Sequence, residues 1–165
     1  MKQFIAHFTK VSFTQFKKDM LKLGYDLKMI EQAYDNIVIP KRTTKGSAGY
    51  DFVCPFNLHI GKDSVLIPTG IRAKMDLDYV LMLFPRSSLG FKYGLQLDNS
   101  VGIIDSDYYN SDNEGHIMAK VHACKEFSLS AGSRFIQGVF LQYGLANEED
   151  VLTERNGGIG STDNI

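Results

Sequence analysis

Tyr50-Asp51-Phe52-Val53-Cys54-Pro55-Phe56-Asn57-Leu58-His59-Ile60 sets the expectation for the architecture. Tyr50, Phe52, Cys54, Phe56, Leu58 and Ile60 alternate with Asp51, Val53, Pro55, Asn57, His59 and Gly61. A period of two sends alternate side chains to opposite faces of an extended chain, so the run reads as a half-buried strand. The same pattern recurs downstream. Ile71, Ala73 and Met75 alternate with Arg72 and Lys74; Ile117, Ala119, Val121 and Ala123 share one face; Phe135, Gln137, Val139 and Leu141 share another. Pro68-Thr69-Gly70 and Ser130-Ala131-Gly132 read as turns between such segments. Many short strands at this spacing predict an all-β protein, a barrel or a double-sheet jelly roll.

Upstream of Tyr50 the period changes. A first strand is expected over roughly Lys2 to Val11. Ser12 followed three residues later by Gln15 is a capping-box signature, Phe13, Phe16, Met20 and Leu23 recur at helical spacing, and Gly24 suits a helix stop. Asp26 can cap a second short helix through about Tyr34, before Pro40 returns the chain to extended structure. Residues 12–36 therefore read as a short helical insertion near the N-terminus. Phe13, Phe16 and Met20 form its expected buried stripe, and Lys17, Lys18, Asp19 and Lys22 its expected solvated face.

The chain has 165 residues, 44% of them hydrophobic, enough for one ordinary domain with a single core and too few for two. Lys and Arg number 18 against 19 Asp and Glu, so there is no long-range attraction to nucleic acid or to an acidic membrane, and neither is expected as a partner. Cys54 and Cys124 cannot build a disulfide framework, and His7, His59, His116 and His122 show no triad or metal spacing. The N-terminal Met1 to Ser12 is broken by His7 and Lys10 before a signal-peptide apolar region forms, and no run approaches a membrane span. A soluble protein of the reducing cytoplasm is the simplest expectation.

Five short segments carry chemically useful side chains. Gly46-Ser47-Ala48-Gly49-Tyr50-Asp51 leads small residues to a carboxylate at a strand start; alone it reads as a tight turn with a solvated Asp. Phe84-Pro85-Arg86-Ser87-Ser88-Leu89-Gly90 combines a planar guanidinium fork with two hydroxyls, donors that suit phosphate oxygens, although a loop with a surface Arg would look the same. Asn99-Ser100-Val101-Gly102-Ile103-Ile104-Asp105-Ser106-Asp107-Tyr108 is the most specific. In a strand, Asp105 and Asp107 would point the same way, and two like charges in one place need a cation, a basic partner or a proton. Ala131-Gly132-Ser133-Arg134-Phe135-Ile136-Gln137 sets Gln137 among inward apolar positions, as a satisfied core amide or a site residue. Glu154-Arg155-Asn156-Gly157-Gly158-Ile159-Gly160-Ser161-Thr162-Asp163 reads either as a loose tail or as a flap whose amides, hydroxyls and Arg155 wrap a polyphosphate.

In this order the five segments resemble the motifs of the homotrimeric dUTPase family: S-A-G-Y-D, P-R-S-S, N-S-V-G-x-I-D-x-D-Y, G-x-R-x-x-Q and a closing R…G-G-x-G-S-T tail. The resemblance covers about residues 40 to 163. It implies a distorted jelly-roll or β-clip barrel, with residues 1–150 as one β domain and residues 151–165 as a flexible glycine-rich arm completing a neighbouring active site. It implies hydrolysis of dUTP to dUMP and pyrophosphate with Mg²⁺, which limits uracil incorporation into DNA and supplies dUMP for thymidylate synthesis. Three subunits would jointly build three sites. Residue by residue, Asp105 matches the base that activates the water attacking the α-phosphorus in line, and Tyr108 the ring that packs on deoxyribose. Asn99, Gly102, Ile103, Ile104 and Met118 match the hairpin that reads uracil. Arg86, Ser87, Ser88 and Gln137 match positions holding phosphates and water, and Arg155, Ile159, Gly160, Ser161 and Thr162 the closing arm. Asp51 matches a carboxylate that touches the water shell of a magnesium held mainly by substrate phosphates.

The sequence departs from the family's pattern in five places. Ile159 stands where an aromatic ring usually covers uracil, a contact whose stacking is worth roughly 1–3 kcal/mol. Asp163 stands where glycine is usual, and the spacing after Arg155 is one residue short. Tyr109 to Glu114 is several residues longer than the usual link. The helical insertion is absent from the family's minimum and reads as a cover for the barrel. Two other functions remain in view. A dCTP deaminase shares the fold and the trimeric plan, and a regulatory protein partner, of the kind attributed to phage-encoded members, is invited by the insertion.

Overall fold

The structure, a computed structural model, describes residues 4–147. Its first strand, β1 (Ala6–Lys10), is shorter than expected at both ends, and the insertion follows it directly. Ser12 caps α1 (Phe13–Lys22), its hydroxyl accepting from Gln15 N–H at 3.1 Å. Gly24 (φ +85°) ends that turn, and Asp26 caps α2 (Leu27–Asp35) by accepting from Met29 N–H at 2.9 Å. Both caps were legible because a short side-chain oxygen satisfies N–H groups that lack intrahelical acceptors.

The β body comprises β2 (Tyr50–Val53), β3 (Leu58–Ile60), β4 (Val65–Met75), β5 (Tyr79–Pro85), β6 (Leu95–Leu97), β7 (Gly102–Ile104), β8 (Ile117–Ala123), β9 (Phe127–Leu129) and β10 (Arg134–Gln142), with a helix α3 (Ser87–Tyr93) between β5 and β6. Two four-stranded sheets form in the orders β1-β4-β8-β6 and β2-β10-β5-β7, and β3 pairs with β9 alone; the paired strands run antiparallel. This is the jelly-roll-like all-β architecture expected. Phe52, Ile67, Ile71, Leu81, Leu83, Ile117, Phe135 and Ile136 fill the core, and Phe8 of β1 meets the rings of Tyr50, Phe52 and Phe140 at centroid distances of 5.4, 5.6 and 5.5 Å. No helix among the described residues is long and apolar enough to cross a membrane.

Four local expectations are corrected. The run from Tyr50 to Ile60 is two strands, because Pro55 has no N–H to donate and the chain turns a corner there; the alternation survives, with Phe52, Cys54, Phe56 and Ile60 all buried. Pro68-Thr69-Gly70 is a bulge inside β4, where the pairing with β8 shifts between Pro68 and Ile71. Gly70 takes φ +73° there, and an added Cβ would stand 2.1 Å from Ile37 Cδ1, so both backbone and space demand glycine. A register shift between Arg134 and Ile136 turns Ile136 and Gly138 inward and leaves Gln137 half-buried, out of phase with the core. Asp105 and Asp107 do not share a strand: β7 ends at Ile104, and a single 3₁₀ turn runs from Ser106 to Asn110.

The insertion is also phased differently from its apolar pattern. Phe16 and Met20 are fully buried, but Phe13 is 36% exposed, while Gln15 and Asp19 are buried beside them. Asp19, expected in water, is only 6% exposed because the loop after the 3₁₀ turn offers it His116.

Candidate active site

Strands β5 and β7 pair in the register Leu81↔Ile104, Met82↔Ile103 and Leu83↔Gly102, and this sheet edge forms one wall of a cavity of about 470 Å³. Five of the expected site residues line it: Asn99, Gly102, Ile103, Ile104 and Met118. Asn99 sits in a tight turn where Ser100 N–H donates to Leu97 O at 2.9 Å and Ser100 adopts φ +63°. Asp98, Asn113 and Lys120 also reach the cavity. They carry no motif in the sequence, and only the pairing of β6 with β8 and the folding of the long loop bring them in. Asp98 is fixed by His122 Nδ1 at 2.7 Å and by Lys120 Nζ at 3.4 Å. The volume lies within the range of roughly 300–1,000 Å³ usual for small-ligand sites, and the walls are mostly apolar with a few polar groups.

Ile103 also lines a neighbouring cavity of about 680 Å³, which holds Asp105, Ser106 and Asp107 together with Leu77, Val80 and Tyr143. Asp105 stands at the N-terminal end of the 3₁₀ turn, where its carbonyl accepts from Tyr108 N–H at 3.2 Å. Tyr108 lines neither cavity and is 6% exposed. Its hydroxyl donates to His116 O at 3.0 Å and accepts from the cavity residue Asn113, Nδ2 to Oη, at 2.8 Å.

A second polar cluster forms where β2, β10 and the end of β5 meet. Asp51 receives Arg86 Nε on Oδ1 at 3.1 Å, and Arg134 Nη1 and the Thr43 hydroxyl on Oδ2 at 3.0 and 2.8 Å. Gln137 is the register partner of Asp51, and its amide passes so close to Gly49 that a Cβ there would lie 2.5 Å from Oε1. Glycine at 49 is what lets the amide lie across the turn. Arg86 precedes α3, and Ser87 and Ser88 are exposed in its first turn, where backbone N–H groups have no intrahelical acceptor. Arg134 belongs to a motif but had no role expected of it; it stands opposite Val53, two residues from Asp51, and its guanidinium reaches the Asp51 carboxylate.

The two groupings lie at opposite ends of β5. Asp105 follows Ile104, which pairs with Leu81, whereas Arg86 follows Pro85 and Gln137 pairs with Phe84. At about 3.4 Å per residue, Asp105 and Arg86 are on the order of 20 Å apart along the strand. Within one chain, Asp51, Arg86, Arg134 and Gln137 come together, and so do Asn99, Gly102, Ile103, Ile104, Asp105 and Met118.

The family model for dUTPase matches residues 35–163. The chain belongs to the dUTPase family. A curated relative, the deoxyuridine 5'-triphosphate nucleotidohydrolase of Lactococcus lactis subsp. lactis, is 44% identical over 132 residues, covering 76% of this chain and 88% of the relative. The enzyme of the same name from Hahella chejuensis is 35% identical over 155 residues, covering 86% and 98%. The crystal structure of dUTPase from Streptococcus mutans aligns with a TM-score of 0.62 at 44% identity, over 69% of this chain and 91% of that one. The dUTPase from phage phi11 of S. aureus shares the fold at 18% identity, with a TM-score of 0.59 over 72% and 92%.

The dUTPase family generally uses magnesium. No group of three or more His, Cys, Asp or Glu side chains that could hold a metal ion occurs among the described residues. Asp51 already faces two guanidinium groups, so its carboxylate suits contact with a hydrated ion carried on a polyphosphate better than direct ligation. That donor set fits magnesium. The expected arm residues Arg155, Ile159, Gly160, Ser161 and Thr162, and the departure at Asp163, lie outside the described residues.

Proposed function

We propose that this dUTPase hydrolyses dUTP to dUMP and pyrophosphate through a site that each chain supplies only in part. The observation that carries this reading is the grouping of Asn99, Gly102, Ile103, Ile104 and Met118 around one cavity beside Asp105. The edge strand β7 presents fixed amides and carbonyls to a base. A base with the wrong donor and acceptor pattern would leave those groups unpaired, and that penalty provides selectivity for uracil. Asp105 accepts a proton from the attacking water and orients it toward the α-phosphorus, and Tyr108, bonded through its hydroxyl to the cavity residue Asn113, backs the wall against the sugar. The Asp51, Arg86, Ser87, Ser88 and Gln137 cluster receives phosphate oxygens and the water, with Arg155, Ile159, Gly160, Ser161 and Thr162 closing over the nucleotide. In-line phosphoryl attack needs positioning and charge neutralisation rather than a covalent nucleophile. Magnesium, when bound with the triphosphate, would supply part of that neutralisation, and Asp51 would touch its water shell.

The separation of about 20 Å along β5 supports a shared site: no single triphosphate can meet Asp105 and Arg86 of the same chain at one phosphorus. We assign the nucleoside cavity to one subunit and the arginine cluster to another within a homotrimer, with the arm beyond residue 150 completing the site. Pyrophosphate release from dUTP, measured across the deoxynucleotides with and without Mg²⁺, tests the function. Release confined to dUTP is expected, whereas ammonia and dUTP formed from dCTP would establish a deaminase instead.

A further inference from the structure

The long link from Tyr109 to Glu114 and the helical insertion, both read above as departures from the family's pattern, are fastened to each other. The Glu114 carboxylate accepts from Ser12 N–H at 2.7 Å and from the Ser12 hydroxyl at 2.6 Å. Ser12 is the residue that caps α1, so Glu114 supplies the return half of the capping box that Gln15 was expected to make. Gln15 instead donates to Asp19 Oδ2 at 2.7 Å. Glu114 holds φ +58°, a left-handed conformation unfavourable for a residue with a side chain, and it persists there with its carboxylate clamped on the helix cap.

The second fastening is buried. His116 is fully enclosed, and its Nε2 accepts from Gly70 N–H at 2.9 Å in the β4 bulge. The ring proton is therefore on Nδ1, which donates to Asp19 Oδ2 at 2.7 Å. The Phe16 ring packs on the imidazole with centroids 5.8 Å apart. From His116 the connection runs on to the site. Its carbonyl accepts the Tyr108 hydroxyl, that hydroxyl accepts from Asn113, and Asn113 lines the nucleoside cavity. Two residues beyond His116, Met118 lines it as well.

We propose that α1 is a positioning element for the nucleoside site: Asp19 on the helix and Glu114 on the loop hold the Tyr109–His116 segment in the one conformation that sets Asn113 in the cavity wall, with the Tyr108 ring bonded behind it. Asp19, Glu114 and His116 are positioning residues, since none of them lines the cavity. The inference rests on the reading of Tyr108 as the backing of the sugar wall.

The test is the ratio of kcat/KM for dUTP to kcat/KM for UTP. A purely structural role lowers the amount of folded enzyme and so reduces both terms alike, leaving the ratio unmoved. Tyr108→Ala should lower the ratio and validates it as a measure of the wall. Asp19→Leu and Glu114→Gly should lower it by about five- to tenfold. Asp19→Asn should restore it to within about twofold of the unaltered enzyme, because the bonds from Gln15 and His116 both fall on Oδ2, and one amide oxygen can accept both. Glu114→Gly keeps the test open if Asp19→Leu does not fold, since glycine adopts the left-handed backbone without strain. A ratio unchanged in both variants while Tyr108→Ala moves it overturns the buttress and leaves the dUTP reading standing. A ratio unchanged in all three overturns the sugar wall and the buttress together.

Discussion

Asp51, Asp105 and Asp19 show how differently three carboxylates are used on one chain. Asp51 is the acidic partner of Arg86 and Arg134, Asp105 opens a 3₁₀ turn beside the nucleoside cavity, and Asp19 is buried against His116. Asp105→Asn keeps the shape of the side chain but cannot take a proton, so kcat should fall at least about a hundredfold with KM for dUTP little changed. Steady-state kinetics check this, and a near-normal kcat would remove Asp105 from the role of base. Asp19 and Glu114 bear on acid stability. Burial raises both carboxyls, but hydrogen bonds from His116 and Gln15 on Asp19, and from Ser12 on Glu114 together with the Arg72 charge, outweigh it and hold both below their ordinary values. A depressed folded-state value gives stability that is complete above the ordinary carboxylate range and is lost as pH falls through the folded values. Urea midpoints followed downward from about pH 6 should therefore bring the unaltered protein and Glu114→Gln together at acid pH. A gap that stays constant with pH would show that the Glu114 charge contributes nothing.

Among the elements, α1 is held by its cap and by one buried face. Ser12→Ala removes both the cap to Gln15 and the hydroxyl that Glu114 clamps, and should destabilise by about 1–2 kcal/mol. Phe16→Ala empties the space among His116, Tyr34 and Gly70 and should cost about 3–5 kcal/mol. Denaturant titration of the two variants tests the ranking; equal losses would mean that packing under the helix is looser than the full burial of Phe16 indicates. The β4 bulge belongs at this scale too. Thr69 donates its hydroxyl to Ile117 O at 2.6 Å, and His116 accepts from Gly70, so the interrupted ladder is satisfied by side chains rather than left open.

At the level of the whole molecule, the proposed shared site follows from the placement of Asp105 and Arg86 at opposite ends of β5. Arg86→Ala and Asp105→Asn chains, each inactive alone, should regain activity when unfolded and refolded together. Random mixing leaves roughly a quarter of shared sites with an intact residue from each contributor. Pyrophosphate release from the mixture reads this directly, and a mixture as inactive as its parents would place the complete site in one chain.

The motifs told most about chemistry and least about placement. Alternation from Tyr50 onward, the caps at Ser12 and Asp26 and the cavity residues Asn99, Gly102, Ile103, Ile104 and Met118 were all legible, because they depend on local periodicity, on short-range hydrogen bonding and on a resemblance spanning consecutive residues. Asp19 was misread as solvated and Gln137 as inward. Nothing near Asp19 in sequence reveals a partner 97 residues away, and a bulge at Arg134 reverses which face of β10 looks inward. Asn113, Arg134 and Glu114 took on their parts only once strands paired and a loop closed onto a helix, since a contact between distant segments leaves no periodic trace in either one.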